Sequence, residues 1–290
     1  MKGPIITAAL AGMLAWSAAA PVRLSAQAGN AETAAPASTA PAPRMADGHP
    51  DLSGVWWPGN DVGGRPAGGG RGAAPVAGGP AGRGGAGRGG GRGPAPPSFT
   101  SLYQPWAQAK LKTLGDKDDP SLDCVPTALG TFSVSLFDVG AVGQIVQTPK
   151  FVVMLTETYH GFQIVPTDGR PHRDNVPPAN RGDAVGHWDG DTLVVDKTNF
   201  TDTSWMSAEG RISFHSDALH IVERYHRVDA NTLEVETKVE DPKVLTGPWT
   251  VPKQTLRLAP FDQIMELGCS AGDVKALIEG AAAQQNPGKN

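Results

Sequence analysis

Between residues 156 and 175 the chain reads TETYHGFQIVPTDGRPHRDN, a stretch that holds a Glu, a Tyr, two His, two Asp and two Arg. These are side chains that move protons and hold anions. Thr167-Asp168-Gly169-Arg170-Pro171 has the Asp-Gly and Pro of a turn leaving a strand, and it delivers Arg170 and His172 at the strand end. A guanidinium there can hold a carboxylate or phosphate through two parallel hydrogen bonds, and an imidazole titrates near neutral pH. The same residues also suit a plain Asp-Gly turn whose Arg stitches to a neighbouring loop.

Side chains alternate across a strand, so one face can be read from each period-two run. In FVVMLTETY, residues 151–159, Phe151, Val153, Leu155, Glu157 and Tyr159 share a face. In ALHIVERYHR, residues 218–227, Leu219, Ile221, Glu223 and Tyr225 share a face, with His220, Val222, Arg224 and His226 opposite. Each run sets a Glu among apolar neighbours. Such a carboxylate sits near a barrel end or pairs with an Arg such as Arg170 or Arg257, or else it projects into a ligand cavity. In a cavity, desolvation raises its pKa and suits it to acid/base chemistry near neutrality. On that reading Glu157 and Glu223 move the proton and His172 is the partner acid or base. Arg170, Tyr159, Trp188, Tyr225 and Arg224 then contact the ligand. Trp188, Trp205 and Trp249 each lie beside turn residues, where a ring walls a pocket or plugs a barrel end.

His215 and His220 are spaced unsuitably for two ligands on one strand face, and neither cysteine belongs to a CxxC pair. No metal and no cofactor is expected. Ser53, Ser213 and Ser216 lack the GxSxG context of a hydrolase nucleophile. Cys124 and Cys269 are the two cysteines of the chain, and in an oxidising compartment one disulfide between them is the economical reading.

The elements that must position these residues follow from the rest of the chain. Lys2, an apolar run from Ile5 to Ala20 and the pattern Ala26-Gln27-Ala28 read as a secretory signal over residues 1–28, which implies a periplasmic or secreted protein. The run is too short and Ala-rich for a membrane span and no second one follows, so membrane insertion is not expected. A net charge of −4 gives no reason to expect a nucleic-acid partner, and the sequence leaves protein partners open. Residues 29–46 read as a flexible leader, and residues 47–290 as one domain interrupted by a Gly/Arg-rich, disordered insertion at 62–97. LYQPWAQAKLKTL suits a short amphipathic helix, and GDVKALIEGAAAQ near the end suits another. Between them period-two runs dominate: GQIVQTP, FVVMLTETY, GFQIVPT, AVGHW, DTLVVDKTNF, ALHIVERYHRV, TLEVETKVED and KQTLRLAP, preceded by HPDLSGVWW. Asp189-Gly190 and Ala230-Asn231 fit tight hairpins. Successive antiparallel strands hide their edges most simply by closing, which predicts an all-β, up-and-down, lipocalin-like barrel with short peripheral helices; a β-sandwich is the alternative.

TDGRPH, GDAVGHWDGDTLVVDKTNF and HSDALHIVERYHRV together resemble an uncharacterised family of exported bacterial proteins with DGRPH, G-x-W-x-GDTLVVD and ER-x-x-R motifs. The resemblance runs from DLSGVW near Asp51, through DPSLDCVP, to Cys269, and it places Asp168, Arg170, His172, Trp188, Asp191, Glu223, Arg224 and Arg227 on the signature. His187 departs from the family's Arg, and CSAGD at 269–273 departs from its Cys-His-Glu-like stretch. The expected function is an exported protein that binds a small organic molecule inside a β-barrel. A cofactor-free lyase, hydratase or isomerase on the same fold is the first alternative, and a structural envelope module the second.

Overall fold

Among the described residues nine strands form where the period-two runs predict them: β1 (Gly54–Trp57), β2 (Gly143–Gln147), β3 (Phe151–Thr156), β4 (Phe162–Pro166), β5 (Asp183–Asp189), β6 (Thr192–Thr198), β7 (His220–Asp229), β8 (Thr232–Glu240) and β9 (Trp249–Leu258). The structure is a computed structural model that describes residues 38, 40–58, 97–130, 142–157, 161–206, 212–266 and 268–270. Every pairing between these strands is antiparallel, and the sheet order is β4-β3-β2-β1-β9-β8-β7-β6-β5. All neighbours are consecutive in the chain except β1 and β9, whose pairing joins the first strand to the last. The result is an up-and-down, nearly closed barrel rather than a sandwich. Its gap falls in mid-chain, between β4 and β5.

Side chains, not a hydrogen-bonded ladder, bring those two edges together. Val165 on β4 packs over Gly186 on β5, where an added Cβ would lie 2.8 Å from Val165 Cγ1. Only glycine permits that approach. Just before β5, Gly182 has φ +68° and an added Cβ there would stand 2.5 Å from the Thr198 carbonyl oxygen, so the chain enters the seam through a second obligatory glycine.

Inside the barrel Trp56, Ile145, Met154, Leu193, Tyr225 and Leu256 belong to one buried cluster. A second cluster, with Phe99, Tyr103, Trp205 and Phe214, meets the barrel end at Ile221, Val239 and Val251. α1 (Pro105–Leu111) belongs to this cap. Seven residues make a helix too short to stand alone, so its place depends on packing through Ala107 and on Tyr103, whose hydroxyl donates to the Phe214 carbonyl at 2.7 Å. Among the described residues no helix is long and apolar enough to cross a membrane.

The inward faces of β7 and β8 are those that alternation predicts, with Ile221, Glu223 and Tyr225 on the first and Leu233, Val235, Thr237 and Val239 on the second, all buried. On β3 the opposite holds. Val152, Met154 and Thr156 are buried, while Phe151, Val153 and Leu155 lie half-buried outside. Both faces of that strand are apolar, so alternation fixes the two sets but not which one turns inward.

Residues 40–46, expected to be part of a flexible leader, are instead tied to the barrel. The Ala230 N–H donates to the Ala40 carbonyl at 3.1 Å, and Arg44 pairs with Asp191 at 2.6 Å. A few polar contacts hold the segment, which its composition cannot announce. Cys124 and Cys269 form the expected disulfide, spanning 145 residues. The signal segment, residues 62–96 of the insertion and the second predicted helix lie outside the described residues.

Candidate functional site

The sixteen residues that join β4 to β5, 167–182, fold back over the outside of the seam and leave a cavity of about 410 Å³ beneath them. Phe151 of β3, Phe162, Ile164 and Pro166 of β4 and Val185 of β5 supply an apolar wall. Arg170, Pro171, Arg173, Ala179 and Arg181 face it from the connection. Gln163 and Ala184, which alternate toward the interior, also reach the cavity, so it enters the seam itself. Phe162 is 65 % and Ile164 50 % exposed, an uncovered apolar patch at the mouth.

Three guanidiniums and one carboxylate, Asp183, stand in this wall. Arg170 holds Asp168 through Nε at 2.8 Å and Nη2 at 2.5 Å, and its guanidinium lies 5.6 Å from the Phe151 ring centre. The bonds from Arg170 hold the Asp168 carboxyl down at about 2. Arg173 Nε donates to Asp183 Oδ1 at 2.6 Å. Arg181 crosses Gly161 and donates to Thr156 Oγ1 at 3.2 Å.

His172 does not line the cavity and instead reaches the outer faces of β5 and β6. Its Nδ1 lies 3.0 Å from Asp183 Oδ2 and its Nε2 3.0 Å from Asp196 Oδ1. Behind Asp196, His220 Nε2 lies 3.0 Å from Oδ2, and His220 Nδ1 lies 3.3 Å from Glu240 Oε2. His172 from the connection thus joins Asp183, Asp196, His220 and Glu240 on the outward faces of β5, β6, β7 and β8 in a line of three carboxylates and two imidazoles. An ionised carboxylate only accepts, so His172 satisfies both neighbours only as the doubly protonated imidazolium. Burial alone would lower its pKa, but the bonds and charges of Asp183 and Asp196 outweigh burial and hold it above 6.5. Burial would likewise raise Asp183 and Asp196, yet bonds from His172 and Arg173 to the first, and from His220 and His172 to the second, hold both below 3.8. Among the described residues no group of three or more His, Cys, Asp or Glu is arranged to hold a metal ion. The line does not converge on a point.

The other sequence candidates are scattered. Glu157 is buried just past the end of β3, where its Oε1 accepts the Met265 N–H at 2.7 Å. It fastens the C-terminal segment and lies six residues, about 20 Å, along the strand from Phe151 and the Arg170 end. Glu223 does face the interior, but it is 0 % exposed and Lys197 Nζ stands 2.6 Å from its Oε2. The Tyr225 hydroxyl donates to the same carboxylate at 2.7 Å. Arg224 is on the outer face, paired with Asp189 at 2.7 Å, so it cannot line the interior. Trp188 stacks on His49 with ring centres 4.5 Å apart, plugging rather than opening the barrel. Tyr159 lies outside the described residues. Of these candidates Arg170 lines the cavity, and His172, two residues on, bonds Asp183 and Asp196 instead.

Lys197 was legible and missed: Leu193, Val195 and Lys197 alternate onto one face, which sets a Lys beside the anomalous Glu. Asp183 and Asp196 were not legible, since their meeting with His172 depends on strand register and the path of the connection. A buried pair, Ser204 Oγ and His215 Nε2 at 3.0 Å, was also missed. His215 Nδ1 is 3.0 Å from the Ser216 carbonyl oxygen, which sets the tautomer so that Ser204 donates to Nε2. Burial lowers the His215 pKa and keeps it neutral. With Ser204 at 1 % and His215 at 3 % exposure, the pair stitches the capping cluster. No family model matches this chain, and neither the curated proteins nor the solved structures provide a match to it.

Proposed function

We propose that this is an exported protein that binds a small organic anion with an apolar body, and that the ligand occupies the seam between β4 and β5. The observation that carries the reading is the cavity of about 410 Å³ whose wall is apolar and whose charged groups are three guanidiniums against one carboxylate. That size and lining suit a small organic ligand. The Arg170–Asp168 pair lies at the surface with both side chains well exposed, so a ligand acid can replace or share Asp168 at small cost, and Arg173, 67 % exposed, can add a contact while keeping the buried Asp183. Export is supported by the signal-like N-terminus and by the disulfide. An interior site draws less support, because Trp56, Met154, Leu193 and Tyr225 fill the barrel. The acid/base alternative draws less still. Glu223 is enclosed by Lys197 and Tyr225, and both His172 protons point at carboxylates.

Titration with 8-anilinonaphthalene-1-sulfonate, a flat apolar body with one anionic group, tests the site. Wild type is expected to bind it. Arg170→Ala weakens binding about tenfold through loss of a charge-assisted contact, with little change in melting temperature because the side chain is exposed. Ile164→Glu, which sets a carboxylate in the apolar wall, abolishes binding. Wild-type affinity in both variants would overturn the assignment.

A further inference from the structure

Building on the seam pocket, we propose that His172 is a protonation-controlled clasp: as an imidazolium it pins residues 170–173 over the cavity, and on losing its proton it lets that wall loosen and the ligand leave. The argument begins with placement. Arg170, Pro171 and Arg173 line the cavity, while His172, between them, turns the other way onto the barrel. One side chain therefore holds the wall from behind.

The groups that face it are anionic on both sides. Asp183 comes from β5 and Asp196 from β6, each 3.0 Å from a different ring nitrogen. Asp183 is also held by Arg173, through the backbone N–H at 3.2 Å and through the guanidinium. Asp196 is shared with His220 of β7, which reaches Glu240 of β8, itself paired with Lys238 at 2.6 Å. A neutral imidazole has one N–H and one lone pair. Once His172 is neutral, one ring nitrogen must direct its lone pair at a carboxylate oxygen. The contact becomes repulsive at the place where the wall is fixed. The Arg173–Asp183 pair remains, so the connection loosens without unfolding.

The direction of the pH effect follows by linkage. His172 has a raised folded-state pKa, so its contribution is complete below 6.5 and is lost as pH rises through that raised value. Asp183 and Asp196 have depressed values, so their contributions are present above 3.8 and are lost as pH falls through those depressed values. The clasp is tight from 3.8 to 6.5 and opens as pH rises through the raised His172 value.

The test uses the same naphthalene sulfonate, whose charge is constant over the range, together with amide hydrogen exchange of residues 168–182 measured without it and corrected for the intrinsic effect of pH. In wild type, affinity should fall roughly tenfold for each pH unit by which binding raises the His172 pKa, and exchange should rise along the same curve. His172→Gln, which keeps one donor and one acceptor, should bind weakly, exchange fast and show neither pH step. If the imidazole titrates by NMR while wild-type affinity and exchange stay flat, the clasp is wrong. If exchange switches but no pH gives binding, the clasp stands and the seam-pocket reading falls.

Discussion

Replacing Lys197 by Met should lower stability by about 3–5 kcal/mol, because it strips an ammonium from a carboxylate that the core encloses. Lys197 and Glu223 are 3 % and 0 % exposed and lie 2.6 Å apart. The pair sits where the two apolar clusters meet, with Ile221 in one and Tyr225 in the other. Glu223 is fully enclosed, and the Tyr225 hydroxyl donates a neutral hydrogen bond where the ammonium had supplied a charge. In a urea melt the single variant should show a lower midpoint with an unchanged slope. The double variant Lys197→Met, Glu223→Leu should recover most of the loss, since a buried ion pair replaced whole by apolar groups is often neutral in stability. A single variant as stable as wild type would mean that the interior admits water to Glu223.

Opening the disulfide should cost about 2–5 kcal/mol, the second large effect. Cys124 and Cys269 are 145 residues apart, so the bond removes a large amount of freedom from the unfolded chain. In the folded protein it acts beside a weaker fastening, the Met265 N–H on Glu157. The double variant Cys124→Ser, Cys269→Ser should melt well below wild type, and dithiothreitol should bring wild type down to the same temperature. Glu157→Gln should cost much less, because an amide oxygen still accepts the Met265 N–H. If reduction leaves the melting temperature unchanged, the C-terminal segment is held by other contacts.

What the sequence made legible depended on how far each feature reaches along the chain. The strands are local, and a period of two marks them whatever they pair with. The hairpins at Asp189-Gly190 and Ala230-Asn231 are local as well, and adjacent strands on either side pair as expected. The interior position of Glu223 followed from alternation, because the opposite face of β7 is polar. The same reasoning failed for Glu157. β3 is apolar on both faces and ends at Thr156, so the Glu lies beyond the strand whose alternation was used to place it. The site itself was half legible. The crowding of charge in DGRPHR marked the connection as a place of consequence, but not that the barrel would be left unpaired there, since that requires knowing that β1 closes on β9. The Asp183–His172–Asp196 contacts join residues from three segments, and no spacing in the sequence encodes them.

On the proposed reading, the seam also sets how strictly a guest is measured. A fully laddered barrel has a girth fixed by strand number and stagger, and admitting a wider molecule means breaking backbone hydrogen bonds. Here β4 touches β5 through Val165 over Gly186, and touches the residues just before β5 through the Gln163 amide on the Arg181 carbonyl, and these contacts are made by side chains of β4. Spreading them leaves every ladder intact. An anion-binding seam of this kind would act as a sprung cuff, graded in width, and should select guests by charge more sharply than by thickness.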